Sequence, residues 1–349
     1  MIESTHWSKS TDAYVWLFNV GRGLSVFIRT PDNHGILYDL GGSEDFSPFE
    51  FLNKNVFPYI TDFTLGNNKH KVAQLVISHP HLDHIFEVDK IANLNPALIT
   101  CPHDKGHDES FDFNTIDLHD KLKMYKALFA QRNPPLQTIT YRSPNNSIQS
   151  EYGIYYVKPP HVKKIHQDNN HKYGNGCSIV LYFKYGTHSI LIPGDITPEA
   201  FQHLLDENVG TEKRYSFFSG TSHGQDWHRM TSTQPSLKSM LQNHGLTVLI
   251  PQHHGLESCY NEHLYSCIKG NKPQIVIASE KRTTENEGKI DARYQSKDGS
   301  LGMNIIFDEK TEFRNSVTTK FGDHFLIKFS SNKPAVVFGS KNPHTLLKK

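Results

Sequence analysis

Between residues 15 and 40 the chain carries three short apolar runs, VWLFNV (15–20), SVFIRT (25–30) and GILYDL (35–40), separated by GRGL and PDNH. Such runs are too short for helices, and their glycine, proline and asparagine borders predict a meander of β-strands. Further strand-like runs stand at 74–78, 97–101, 153–158, 178–185, 189–193, 248–251, 275–279, 303–307 and 324–329. Helical spacing of apolar positions is clearest at 118–132, 197–208 and 235–244. Strands and helices therefore interleave from end to end, which predicts an α/β protein. A single domain over 13–332 is expected, because no linker, low-complexity tract or repeat of 20–50 residues interrupts it. The polar, weakly periodic stretches 101–150 and 210–234 read as insertions, and 340–349 as a frayed tail.

Composition narrows the functional classes. Lys and Arg number 37 against 36 Asp and Glu, a net charge of +1 in 349 residues. Such a chain has no global field for a polyanion, so a nucleic-acid contact would be local, and a small or single-stranded substrate is favoured over duplex. No apolar run is long enough to span a bilayer, and the first residues lack a signal-peptide pattern, so the expected location is cytoplasmic, without membrane contact. Cys101, Cys177, Cys259 and Cys267 form no C-x-x-C pair; this suits a reducing compartment and argues against cysteine ligation of a metal.

Chemistry concentrates at HPHLDH, residues 79–84, directly after a strand-like run. His79, His81, Asp83 and His84 present imidazole and carboxylate donors at the end of a strand, where α/β proteins build sites, and these donors suit a divalent first-row ion. A histidine-rich surface loop is the bland alternative in a chain with 22 histidines, but the spacing H-x-H-x-D-H disfavours it. Two later runs repeat the arrangement. SILIPGD ends on Asp195, which is placed either to bridge two ions or to cap the helix that DITPEA opens. TVLIPQHHG ends on His253 and His254, with nothing in the sequence to choose between the rings.

HPHLDH, YDLGG with Asp39, PGD and HHG, in this order, resemble the metallo-β-lactamase superfamily, and FNVGRGLSVFIRTP, NGCSIVLYF and LIPQHHG resemble its branch attached to the DNA-uptake channel protein ComEC. The resemblance implies an αββα sandwich of two mixed sheets flanked by helices, two divalent ions, most simply zinc with manganese as the other choice, and hydrolysis by a metal-bound hydroxide. For the ComEC-like branch the implied substrate is a phosphodiester, which makes the expected activity that of a phosphodiesterase or nuclease on nucleic acid or nucleotides. On that basis His79, His81 and one of His253 and His254 are assigned to the first ion, Asp83 and His84 to the second, and Asp195 between them, with Asp83 and Asp195 closest to catalysis. Asp39 is expected behind the ligands, where a carboxylate fixes the tautomer of a ligating imidazole. The chain departs from the branch at Gly21-Arg22-Gly23-Leu24, where Gly-Gln-Gly-Asp is usual. It also lacks an obvious further histidine before PGD: His161, His166 and His171 are the candidates, and Asn175 stands where the branch tends to have asparagine.

Three other features invite functional readings. Gly21-Arg22-Gly23 lacks the third glycine and following helix of a phosphate loop and reads as a hairpin turn. SGTSHGQDWHR (219–229) lacks a strand-turn-helix elbow, so it reads as a polar insertion from which His223 or His228 overhangs the cleft. Lys297 is a candidate phosphate contact or a solvated loop charge. Two alternatives to a phosphodiesterase remain open at this level: hydrolysis of a lactone, amide or thioester, and a metal-stabilised component of a multi-protein system without turnover.

Overall fold

Strand β1 (Ala13–Leu17) is buried at every residue, yet its alternate side chains enter different interiors. Ala13, Val15 and Leu17 share one apolar cluster with Val26, Ile28, Leu181, Phe183, Ile190 and Ile192. Tyr14 and Trp16 belong to another, which includes Phe49 and Leu52. Side chains of a strand alternate between faces, so burial of both faces places β1 inside a layered structure.

The structure is a computed structural model and describes residues 10–65, 67–102, 111–131, 138–141, 150–167, 169–206, 214–217, 235–280, 290–308 and 310–349. After β1 the strands of the described residues are β2 (Val26–Arg29), β3 (Gly35–Tyr38), β4 (Phe63–Leu65), β5 (Asn68–His70), β6 (Val72–Val76), β7 (Leu98–Thr100), β8 (Thr138–Tyr141), β9 (Ser150–Tyr155), β10 (Val180–Tyr185), β11 (His188–Ile192), β12 (Arg214–Phe217), β13 (Val248–Leu249), β14 (Ile275–Ala278), β15 (Met303–Phe307), β16 (Lys310–Arg314), β17 (Ser316–Thr318), β18 (His324–Ser330) and β19 (Lys333–Ser340). One mixed sheet runs β16-β15-β19-β18-β1-β2-β3-β6-β7 and the other β17-β14-β13-β11-β10-β9. β3, β6 and β7 are parallel in the first, and β11, β13, β14 and β17 in the second.

Helices cover the outer faces. Pro48–Asn55 buries Phe49, Phe51 and Leu52; Pro198–Leu205 buries Ala200, Phe201, Leu204 and Leu205. These share a cluster with Trp16, Leu37 and Leu75 of the first sheet and Tyr182, Leu191 and Leu249 of the second. Each such aliphatic or aromatic side chain contributes about 1.5–3 kcal/mol by leaving water. The layers are helix, sheet, sheet, helix. Among the described residues no helix is long and apolar enough to cross a membrane.

Two expectations need correction, and one alternative is settled. Thr197, not Asp195, caps the helix Pro198–Leu205, its hydroxyl accepting from the Ala200 N–H at 3.3 Å, so the Asp195 carboxylate is not used as a cap. The expected boundary at 332 falls between two paired strands: β19 lies inside the first sheet, antiparallel to β18 and parallel to β15. The tail also docks rather than fraying, because Pro343, Leu346 and Leu347 are buried. Of the two expected insertions, the described parts include the helix Asp120–Gln131 and the parallel pair β8 and β12, which joins one insertion to the other. His223 and His228 lie outside the described residues.

Candidate metal centre

Five strands end at one edge of the sandwich, and each delivers a polar side chain there. Asp39 follows β3, residues 78–84 follow β6, Asp195 follows β11, His253 and His254 follow β13, and Ser279 follows β14. Tight turns aim these groups inward. Asp39, His253 and His254 take φ of 59°, 46° and 59°, a region that costs an ordinary L-residue roughly 1–2 kcal/mol. Gly194, at φ 59°, has no room for a side chain: a Cβ would lie 2.8 Å from that of Ser78.

Asp39 organises the turn from behind. Its Oδ1 accepts the Ser78 N–H at 2.6 Å, and its Oδ2 accepts the Ser78 hydroxyl at 2.8 Å and His84 Nδ1 at 2.7 Å. In the neutral ring, the form that could ligate a metal, His84 Nδ1 therefore carries the proton and Nε2 is bare. That Nε2 is buried without a hydrogen-bond partner, 3.3 Å from Asp195 Oδ1 and 3.8 Å from Asp83 Oδ2. His254 repeats the device, with Nδ1 donating to the Ser279 carbonyl at 3.1 Å and a buried, unpartnered Nε2 that faces Asp83 Oδ2 at 3.5 Å and Asp195 Oδ2 at 3.6 Å.

Two donor groups result: His79, His84 and Asp195, and Asp83, His84 and His254, each with ligand-type atoms within 4.8 Å of one another. His79 Nε2 lies 2.9 Å from His81 Nδ1 and 4.0 Å from Asp195 Oδ2, and His253 Nε2 lies 3.6 Å from the same Asp195 oxygen. The two histidines of the pair thus divide: His254 faces the Asp83 and His84 side, where the sequence assignment placed neither. The cause is local, since consecutive left-handed residues send adjacent side chains in different directions.

Two of the three candidates for a further histidine, His161 and His166, do not join these groups. His166 Nε2 bonds the Thr197 hydroxyl at 2.8 Å, and His161 packs against His203 with ring centroids 6.1 Å apart. The side chain of His171 lies outside the described residues. Asn175 does reach the cleft, with a buried Oδ1 that has no hydrogen-bond partner. Lys297 is exposed and does not line the cleft.

The electrostatics suit cation binding. Burial pushes the pKa of His79, His81 and His253 below the ordinary histidine value and keeps these rings neutral. Burial also opposes charge on His84, but Asp195, Asp83 and Asp39 outweigh it and raise its pKa well above that value. Burial opposes ionisation of Asp195 as well, yet His84 and His254 hold its carboxyl well below the usual range. Without a cation, a protonated His84 is what balances these carboxylates. Buried imidazole nitrogens without partners are costly, and here they converge with carboxylate oxygens in the donor chemistry of zinc and its neighbours. The residues present fit divalent ions.

Several supporting residues carried no signal in the sequence. Cys259 Sγ lies 3.4 Å from His253 Nδ1, and the Ser178 hydroxyl lies 3.3 Å from His79 Nδ1. Ser279 holds His254 through its carbonyl and the Gly23 carbonyl through its hydroxyl, at 2.5 Å. In front of these donor groups opens a cleft of about 850 Å³, lined by Arg22, Leu82, Phe86, Ile116 and His119 among others.

Residues 18–162 match the family model described as the metallo-beta-lactamase superfamily. The fold is a metallo-β-lactamase fold. Asp195, His253 and His254 lie beyond the matched segment and follow strands of the second sheet. The match implies divalent metal binding. No curated protein matches the sequence. Among solved structures, the chain is similar to a mutant of the CmlA beta-hydroxylase at 13% identity and a TM-score of 0.31, over 74% of this chain and 38% of that one. It therefore spans well under half the length of that protein. It is also similar to a putative metal-dependent hydrolase from Parabacteroides distasonis ATCC 8503, at 15% identity and a TM-score of 0.28, over 76% of this chain and 92% of that one.

Proposed function

We propose that this chain is a metal-dependent hydrolase of phosphodiesters, of the ComEC-like kind, with zinc as its metal. The observation that carries the reading is the pair of donor groups that share His84 and have Asp195 beside both. His79, His81 and His253 would hold one ion with Asp195, and Asp83, His84 and His254 the other. When bound, such ions supply an acidified water at neutral pH and neutralise charge on the oxygens of a phosphoryl group.

The chain's own residues do the rest. Asp39 and the Ser279 carbonyl keep the Nδ1 protons of His84 and His254 turned away from the cleft, so that Nε2 of each ring faces it. Asp195, held between imidazoles, stays ionised and would sit between the two ions as a shared carboxylate. Asp83 is one-third exposed and lines the cleft, so it is the ligand-type carboxylate nearest to an arriving substrate.

The test is elemental analysis of the purified chain followed by assay against single-stranded and duplex DNA, RNA, cyclic nucleotides and aryl phosphodiesters, with lactones, amides and thioesters alongside. The reading expects about two metal equivalents and cleavage only among the phosphodiesters, lost in Asp83→Ala. Turnover confined to the acyl substrates replaces the substrate class; metal without any turnover replaces the enzyme reading by a metal-stabilised module.

A further inference from the structure

Among the described residues lining the cleft, Arg22 is the one arginine or lysine. Its backbone is fixed on both sides. Gly21, at φ 74°, donates its N–H to Asn19 Oδ1 at 3.3 Å. Gly23 packs against the metal turn so closely that a Cβ there would lie 2.2 Å from the Asp83 carbonyl oxygen. The Gly23 carbonyl accepts from Ser279, whose own carbonyl holds His254. The turn that carries Arg22 is therefore tied to both Asp83 and His254.

The side chain between these anchors is exposed, and no hydrogen bond or ion pair engages it among the described residues. The other arginines with described side chains are committed: Arg29 to carbonyls of Ser10 and Asp12, Arg293 to Asp291, and Arg314 to Glu312. A guanidinium on a fixed turn and without a partner is suited to bidentate recognition of a phosphate. The rest of the lining supplies no second fixed cation: Val20, Leu82, Phe86 and Ile116 are apolar, and Asp117 is acidic. A long polyanion would find one positive contact and then carboxylate and apolar surface. A nucleotide-sized molecule with one phosphate beyond the scissile group would find a match for its extra charge and an apolar shelf for a base.

We infer that Arg22 binds a second phosphate of the substrate, next to the scissile phosphodiester, and selects short phosphodiesters that carry one additional phosphate. This rests on the phosphodiesterase reading above, and the experiment separates the two. Metal-loaded wild type, Arg22→Ala and Arg22→Lys are compared on thymidine 5′-(p-nitrophenyl phosphate) and on the same ester bearing a 3′-phosphate. Arg22→Ala should raise KM for the 3′-phosphorylated ester about tenfold more than for the plain ester, with kcat changed equally for both, and Arg22→Lys should fall between. An equal change in KM for the two esters overturns the inference. If neither ester is cleaved by wild type, the hydrolase reading fails, and calorimetry of thymidine 3′,5′-bisphosphate against thymidine 5′-monophosphate still decides the role of Arg22. The bisphosphate should then bind more tightly to wild type, with that advantage lost in Arg22→Ala; an advantage retained in the variant overturns it.

Discussion

His84 Nδ1 sits 2.7 Å from Asp39 Oδ2, with both side chains fully buried. Asp39 bonds neither a carboxylate nor a cleft-lining group; it spends its oxygens on Ser78 and on the back of the imidazole that both donor groups share. Replacing Asp39 by Asn keeps the size and removes the charge that sets the tautomer. Outer-shell changes of this kind commonly cost 10- to 100-fold in metal affinity. Competition with a chromogenic chelator should show a loss of that size in Asp39→Asn, with near-native circular dichroism; unchanged affinity would remove Asp39 from its positioning role.

The division of the histidine pair gives a second prediction. Because His254 faces Asp83 and His84, whereas His253 faces Asp195 from the other side, His254→Ala and His84→Ala should each lose about one metal equivalent. Plasma emission on dialysed protein reads this directly. Equal stoichiometry in wild type and His84→Ala would remove His84 from the proposed ligands.

Gly23→Ala tests how tightly the hairpin turn seats on the metal turn. A methyl group would lie 2.2 Å from the Asp83 carbonyl, which is backbone and cannot swing aside. Overpacking of this kind costs about 1–3 kcal/mol, so the variant should melt lower and hold metal more weakly. A melting temperature equal to wild type would show that the two turns separate easily.

Acid sensitivity should arise partly from His324, remote from the ligands. Burial lowers its pKa from 6.5 to about 4, and its Nδ1 accepts the Asn19 N–H at 3.1 Å, a bond only the neutral ring can accept. The unfolded chain takes up the proton first on acidification, so this contribution to stability is complete above pH 6.5 and is lost as pH falls towards 4. The loss amounts to about 3 kcal/mol across that window. Urea denaturation at pH 7.5 and 5 should show a smaller acid effect in His324→Gln than in wild type; an equal acid effect would assign it elsewhere.

Much of this was legible in the sequence because the site obeys one rule: apolar strand, then ligand-type residue. HPHLDH, PGD and HHG each follow a run that forms a strand, and the structure brings all three together. The buried strands read clearly because both of their faces leave water, which makes them short apolar blocks. β19 was hidden because it opens with Lys333-Pro334 at its exposed end and carries half-buried positions between buried ones, so it looks like a tail. Cys259, Ser178 and Ser279 were hidden for another reason: they act through single contacts at long sequence separation, and nothing periodic marks them.

The place of β19 bears on how the molecule comes to exist. Every residue of the donor groups has been synthesised by position 254, but β1 pairs with β18, and the Asn19 to His324 bond spans 305 positions. Among the described residues, β15 and β16 reach the rest of their sheet through β19. During synthesis the side chains of the donor groups would therefore emerge long before the scaffold that stiffens them, and the sheet can finish only after residue 340 has left the ribosome. Non-local pairing of this kind folds slowly, so a nascent chain shortened within its last strand should accumulate as an aggregation-prone partial sandwich, whatever metal is supplied.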